Sequence, residues 1–291
     1  MTTVVYEQEY EVYTYGESLC SQMVRIACVE KGIEWKSKPI MLSEVAVESN
    51  NLTPQYLAIN PKARVPSLVH NGTPILESYE IIKYLDRQNP NSGPRLYPED
   101  QNLRSRIDAW VLGASLRDDG EFGTTLGMAI PMVSSPAIRY CLKRQPFWHV
   151  MRKFSKHPLP SRGIGFRVLR IMPVPRGITD KSVAAIAQAL VNIENELSGG
   201  DDYILGSFTQ VDVMMMAHFH RLEDVALGEV LVDGTLPNIS AYWARLQARP
   251  SYESAVLAYH EPHWREALQA VFSDSQSPEM GKLKAAINRA M

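Results

Sequence analysis

The chain has 291 residues, 45% of them hydrophobic and 21% charged, which at about 150 residues per domain supplies a core for one large or two ordinary domains. Its 30 basic and 32 acidic side chains leave a net charge of −2, which argues against disorder through self-repulsion and against a whole-chain nucleic-acid footprint. No run approaches the roughly 20 apolar residues of a bilayer helix, and the opening MTTVVYEQEY lacks the basic-then-apolar order of a secretory signal. With the odd cysteine set Cys20, Cys28 and Cys141, this predicts a cytoplasmic protein with free thiols.

Residues 10–15 (YEVYTY) read as a strand of β-formers. Residues 21–31 space Met23, Ile26, Ala27 and Glu30 as a helix that stops at Gly32. Residues 34–40 read as a second strand and residues 52–59 as a short helix after Asn51. Strands at 65–69 and 74–76 are joined through Asn71-Gly72, a hairpin signal. Residues 78–88 close the run as a helix with Ile81, Ile82 and Leu85 on one face, ended by Asn89-Pro90. This is βαβ followed by ββα. Beyond residue 99 strand signals fade, and helical segments at 101–116, 180–197, 210–227 and 238–248 predict an all-α second domain. The expected division is 1–90, a linker at 91–100 rich in Gly, Pro and charge, and 101–291.

Residues 122–179 contain no Asp or Glu but ten Lys or Arg, leaving 20 basic against 32 acidic residues elsewhere. Within this stretch the proline-punctuated segment 137–176 interleaves Tyr140, Phe147, Trp148, Phe154 and Phe166 with the basic residues. Such a segment can be a solvated extension, a lid, a membrane-surface element or a site for an acidic partner. No nucleic-acid motif accompanies it, and no His/Cys cluster has metal-ligand spacing, so neither nucleic acid nor a metal is expected.

Three short elements carry chemistry. The turn at 16–21 (GESLCS) leads from a strand into a helix, whose free N–H groups and positive dipole end favour an anion, a thiolate in particular. Ser18 or Ser21 can equally be a plain N-cap there. In NPKARVPSL (60–68), Pro66 follows Val65 at a strand start. A cis bond would turn the Val65 backbone outward toward an extended ligand, although X–Pro bonds are cis in only about 5–6% of cases. In LESYEI (76–81), Ser78 can cap a helix and meet a carboxylate, and Glu77 can pair with an ammonium or simply face solvent.

The order of these elements, on a βαβ–ββα frame followed by helices, resembles the glutathione transferase superfamily. Two further fragments agree: Gly206-Ser207-Phe208-Thr209-Gln210-Val211-Asp212, with Thr209 as cap and Asp212 at the third capping-box position, and the stretch from Pro237-Asn238-Ile239 through Trp243 to Arg249-Pro250-Ser251. The resemblance implies a thioredoxin-like first domain, an all-helical second domain, a homodimer and glutathione as co-substrate. It identifies Ser18, 14 residues before Gly32, as the hydroxyl that holds the glutathione sulfur as thiolate. A thiol of pKa about 8.5 is roughly 3% ionised at pH 7, and lowering it by two units, worth about 2.7 kcal/mol, raises that to about 75%. Residues 13–32 also resemble bacterial tetrachlorohydroquinone reductive dehalogenases, whose Ser-x-Cys-Ser turn uses its Cys to resolve a glutathionyl intermediate; Cys20 holds that place here. Cys20 can also be a small packing residue.

By the same resemblance Val65 and Pro66 hold the cysteinyl backbone of glutathione, Glu77 and Ser78 its γ-glutamyl end, and Arg64 its glycyl carboxylate. Trp110 is a candidate wall of the electrophile pocket, as is the Met-rich stretch 128–132, and each can equally be core. The expected activity is attack of glutathione thiolate on a small, apolar and aromatic electrophile by conjugation, β-ether cleavage or dehalogenation. The competing class is a non-enzymatic relative that binds a partner or membrane through 137–176.

Overall fold

The computed structural model describes residues 4–272 and 277–291. β1 (Tyr10–Thr14) lies between β2 (Lys36–Pro39), which it pairs in parallel, and β3 (Ser67–His70), which runs antiparallel to it; β4 (Thr73–Leu76) completes the order β2-β1-β3-β4. Val12 and Leu68 face each other in this register and are fully buried. The predicted Asn71-Gly72 turn joins β3 to β4 with both residues at positive φ, 48° and 79°, the backbone that a two-residue hairpin requires.

α1 (Leu19–Glu30) and α3 (Ser78–Gln88) pack together, α1 burying Met23, Ile26 and Ala27 and α3 burying Ile81, Ile82 and Leu85. The short α2 (Pro54–Ile59) buries only Tyr56. The end of α1 is fixed by a buried ion pair, Lys31 Nζ to Asp86 Oδ1 at 2.9 Å. Asp86 also accepts from the N–H groups of Leu96 and Tyr97, which fastens the segment leading out of the sheet-bearing part.

Among the described residues helices follow without further strands: α4 (Gln101–Ala114), α5 (Leu126–Val133), α6 (Ser135–Arg144), α7 (Phe147–Ser155), α8 (Pro160–Ile171), α9 (Arg176–Leu197), α10 (Gln210–Asp224), α11 (Pro237–Gln247), α12 (Pro250–Ala255), α13 (Pro262–Phe272) and α14 (Pro278–Ala290). α10 is buried from Gln210 to Leu222. It opens with the predicted capping box, in which Asp212 Oδ2 accepts from Thr209 N at 2.7 Å while Thr209 Oγ1 accepts from Val211 N at 3.2 Å. Tyr242 donates its hydroxyl to the other Asp212 oxygen at 2.7 Å, and burial pushes this carboxyl up to about 6.

The anticipated helical segments fall on α4, α9, α10 and α11, whereas α5 to α8 and α12 to α14 were not anticipated. Proline explains much of the difference. Pro136, Pro146, Pro160 and Pro175 stand at the openings of α6, α7, α8 and α9, where a missing N–H costs nothing and the fixed φ already suits a helix. The basic segment is therefore the end of α6 and a helical hairpin of α7 and α8. The hairpin is closed by Val150, Phe154 and Phe166, the two phenyl rings 5.0 Å apart. With the end of α6 it packs on the loop after β2: Gln145 Nε2 donates to Ser43 O at 3.1 Å, Lys153 Nζ to Val47 O at 2.9 Å and to Ser49 Oγ, and Arg162 Nη2 to Glu44 Oε1 at 2.6 Å. No helix among the described residues is long and apolar enough to cross a membrane.

The two halves meet mainly where α1 packs against α10 and α12. Arg249 holds Glu30 with a two-pronged guanidinium pair, Nε–Oε1 2.7 Å and Nη2–Oε2 2.5 Å, and Ser251 donates to the same carboxylate.

Candidate functional site

The turn from β1 into α1 is held from several sides. Arg25, fully buried on α1, donates from Nη2 to Gly16 O at 2.6 Å, from Nη1 to Thr14 Oγ1 at 2.6 Å and from Nε to Ala255 O at 2.8 Å, with its guanidinium 4.1 Å from the Tyr259 ring centre. Desolvation lowers its pKa to about 10, so the group stays charged at neutral pH. The segment after α12 lies directly over the turn: a Cβ on Gly16 would come within 2.0 Å of Tyr259 O, so only glycine fits. Glu17 Oε1 accepts from His260 Nδ1 at 3.1 Å and from Glu261 N at 3.0 Å, and Arg221 donates to the Glu17 carbonyl.

On this platform Ser18 is the N-cap of α1, its Oγ accepting from Ser21 N at 3.4 Å. That bond uses an oxygen lone pair and leaves the hydroxyl hydrogen free to donate elsewhere. The cap is thus Ser18, and Ser21 lies inside the helix with its own Oγ turned back to Tyr15 N. Cys20 sits in the first turn, half-buried and in contact with Ser78 at the opening of α3. Burial pushes the Cys20 thiol up, and Glu77 adds to this, while the Ser78 hydrogen bond and the Arg64 and Arg162 guanidiniums pull the other way. The free N-termini of two helices therefore converge beside one thiol, and each favours negative charge.

The bond between Val65 and Pro66 is cis, as the resemblance implied and against the general frequency of trans. The approach to it is tied down by Asn60, whose Nδ2 donates to Arg64 O at 2.9 Å and to Ser67 Oγ at 3.0 Å, and by Tyr56, which donates to Arg64 O. Glu77, just before Ser78, has φ of 65°, a left-handed conformation costly for a side chain with a Cβ. Its carboxylate accepts from Lys62 Nζ at 2.7 Å.

The sequence reading missed two participants. Lys62 also reaches Asp118 Oδ2 at 3.1 Å, and Arg64 pairs with the other Asp118 oxygen. Asp118, in the loop between α4 and α5, thus brings the helical half onto the rim of the site. Burial opposes its ionisation, but the hydrogen bonds from Arg64 and Lys62 hold its carboxyl below the usual range.

Ser18, Cys20, Glu77 and Ser78 are brought together, with Arg64 close enough to act on Cys20, and Val65 packs in one cluster with Tyr15. Trp110 is not among them. It lines a separate cavity of about 350 Å³ with Ala114, Leu126, Gln188 and Met215, between α4, α5, α9 and α10. A second cavity of about 430 Å³ lies between the loop after β2, α6 and α13, lined by Met41, Val45, Tyr140, Cys141 and His263. Of the Met-rich stretch, Met128 is buried in α5.

One mixed donor group, which the spacing in sequence did not suggest, gathers beside the turn. Ligand atoms of Glu17, His220 and His260 lie within 4.8 Å of one another. The guanidiniums of Arg221 and Arg265 are already drawn to the neighbouring Asp224, at 3.3 and 3.2 Å. The Glu17 carboxylate is held there by His260 and the Glu261 N–H, and Asp224 with its two guanidiniums lies 3.9 Å from His220 Nε2.

Residues 17–88 match the glutathione S-transferase N-terminal domain family. That stretch, from the turn before α1 to the end of α3, is thus a glutathione S-transferase N-terminal domain. Glutathione S-transferase TCHQD of Arabidopsis thaliana is 24% identical over 263 residues, covering 88% of this chain and 92% of the relative. Protein LigF of Sphingobium sp. is 24% identical over 246 residues, 83% and 90% of the two chains. A maleylacetoacetate isomerase of Pseudomonas aeruginosa is 39% identical over 97 residues, 33% of this chain and 44% of that one. The crystal structure of the Sphingobium beta-etherase LigF superposes with a TM-score of 0.75 at 21% identity, covering 86% of this chain and all of LigF. The glutathione transferase fold, a thioredoxin-like domain followed by a helical one, is thus common to both.

Proposed function

We propose that the chain is a glutathione-dependent enzyme that ionises the glutathione thiol at Ser18 and directs the thiolate at an electrophilic carbon of an apolar, aromatic compound. In the reaction the sulfur lone pair forms a C–S bond while the leaving group departs with the bonding electrons. The observation that carries this reading is the convergence of Ser18 with a free hydroxyl hydrogen, the Cys20 turn and the opening of α3 at Ser78. Two helix N-termini and one hydroxyl are the kind of fixed, pre-oriented donors that stabilise a developing or resident thiolate. The names of the relatives, a glutathione S-transferase, a beta-etherase and an isomerase, support glutathione chemistry at carbon.

In this reading the γ-glutamyl ammonium meets Glu77, the α-carboxylate the N–H end of α3 at Ser78, the cysteinyl backbone Val65 beside the cis Pro66, and the glycyl carboxylate Arg64. Asp118 competes for Arg64 and Lys62. Asp118→Asn is therefore expected to tighten glutathione binding about 2- to 5-fold, the scale of an exposed ion pair, in a calorimetric titration; weaker binding would count against the Arg64 assignment.

Incubation with glutathione and a panel of aryl halides, β-aryl ethers, epoxides and disulfides tests the activity itself. The expected product is a glutathione thioether from an aryl halide or β-aryl ether, identified by mass, at a rate above the protein-free control. Glutathione binding with no turnover across the panel would favour the non-enzymatic reading.

A further inference from the structure

The α7–α8 hairpin has two apolar faces, and among the described residues only one is covered. Phe166 and Leu169 turn inward to Val150 and Phe154. On the opposite side of α8, Ile164, Val168 and Ile171 stand in solvent at i, i+4 and i+7, the spacing of one helical stripe. Trp148 on α7 is 76% exposed, and Ile171 61%. The two helices are joined at this surface. Trp148 packs edge-on against Phe147 with ring centres 5.1 Å apart, Arg170 of α8 lies 5.7 Å from the Phe147 ring, and Arg139 of α6 donates to the Ile171 carbonyl at 3.2 Å.

Exposed basic residues stand on the same hairpin and at its ends: Lys143, Arg152, Lys156 and Arg176. Of the ten basic side chains in residues 122–179, only Arg144 and Arg162 meet a carboxylate among the described residues, and the stretch contains no Asp or Glu. We propose that this outer face of α7–α8 is a docking surface for an anionic lipid bilayer, with Trp148 and the Ile164–Val168–Ile171 stripe entering the headgroup region and the flanking Arg and Lys meeting lipid phosphates. An interfacial element needs both components, since apolar burial and attraction to anionic lipid add. A second copy of the chain is disfavoured, because a two-fold contact would set this basic segment against its own image. A phosphate backbone would engage the basic residues but draws nothing from an aliphatic stripe. The inference does not depend on the glutathione reading.

Co-sedimentation of the full chain with phosphatidylcholine vesicles, with and without phosphatidylglycerol, tests it. Binding is expected to phosphatidylglycerol-containing vesicles at low salt, with at least about a tenfold loss at high salt or without anionic lipid, since surface attraction is screened within a Debye length. The double variant Trp148→Ser/Ile171→Ser is expected to lose about tenfold more while keeping its thermal unfolding midpoint, because both side chains lie in solvent. In the unaltered chain, brominated lipid is expected to quench a component of tryptophan fluorescence that Trp148→Phe removes. No sedimentation at low salt, equal binding by the double variant, or no quenching attributable to Trp148 would overturn the proposal. So would a halving of solution mass in the double variant, which would make the face a contact between copies.

Discussion

Ser18→Ala is expected to raise the pKa of enzyme-bound glutathione by about one to two units and to lower kcat/KM at pH 7 by about 3- to 25-fold, the loss of thiolate from about 75%. The magnitude follows from the roughly 1.5–3 kcal/mol contributed by a hydrogen bond to a charged group, at 1.36 kcal/mol per pKa unit. The sign follows from which state the hydroxyl favours: it donates to the thiolate, so its removal disfavours the charged form and moves the ionisation to higher pH. The activity deficit should shrink as the pH rises through the new value, because the variant still ionises its thiol there. Loss of the α1 cap also costs about 1 kcal/mol of stability, but a merely destabilised protein would not shift its pH profile. Thiolate absorbance titrated against pH, with glutathione bound, separates the two. An unchanged titration in a variant that still binds glutathione would remove Ser18 from the role. Cys20→Ala is the companion measurement. Because burial dominates the upward shift of that thiol, it is mostly protonated at neutral pH and a poor nucleophile, so turnover should change far less than in Ser18→Ala. A trapped glutathionyl product in the Cys20 variant would instead assign it a resolving role.

The second large effect belongs to Arg25. Arg25→Met keeps the length of the stem but strips donors from Gly16 O, Thr14 Oγ1 and Ala255 O, all inside the protein. Buried acceptors left without partners cost about 1–3 kcal/mol each before relaxation, and the loss of the charge's own desolvation cost offsets part of this. A net loss of about 3–5 kcal/mol is expected, read as a fall of roughly 6–20 °C in Tm for a chain of this size. Arg25→Lys, which retains the charge and cannot reach all three oxygens, should fall between. Activity measured where the variant remains folded is also expected to drop, because Gly16 O is the hold on the turn that presents Ser18. A shift of less than about 1 kcal/mol would show that the turn is fixed by the segment at 259–261 alone.

Much of the site was legible because it is built from local turn chemistry. A serine before an apolar helical stripe is a favoured cap; Ser18 and Ser21 both fitted that pattern, and the cap is Ser18. The capping box of Thr209 and Asp212 reads the same way, whereas Ser78, expected as a cap, is the first residue of α3 behind Glu77, and no side chain caps that helix. The prolines of 137–176 misled for an equally local reason, since a proline reads as an interruption until the helix it opens is known. Arg25 left a faint signal, a charged residue between Val24 and Ile26 on a helix otherwise marked for burial. Asp118 left none, for an acidic residue in a polar loop has no pattern to distinguish it. Trp110 was placed by its type, and it lines a cavity between α4, α5, α9 and α10 that none of the Ser18 turn's residues lines.

Residue order alone determined the strand and helix succession of the first ninety residues, the capping box of Thr209 and Asp212 and the presence of a thiol at the turn, because these depend on backbone preferences acting over a few positions. Only the tertiary structure decided that Arg25, Arg221, Glu17 and His260 clamp one turn, that Asp118 reaches Arg64, and that one face of the α7–α8 hairpin is left uncovered. Those contacts join residues up to 244 positions apart. Their partners are selected by the packing of α1 against α10 and α12, and no periodicity within a single segment encodes a distance between two of them.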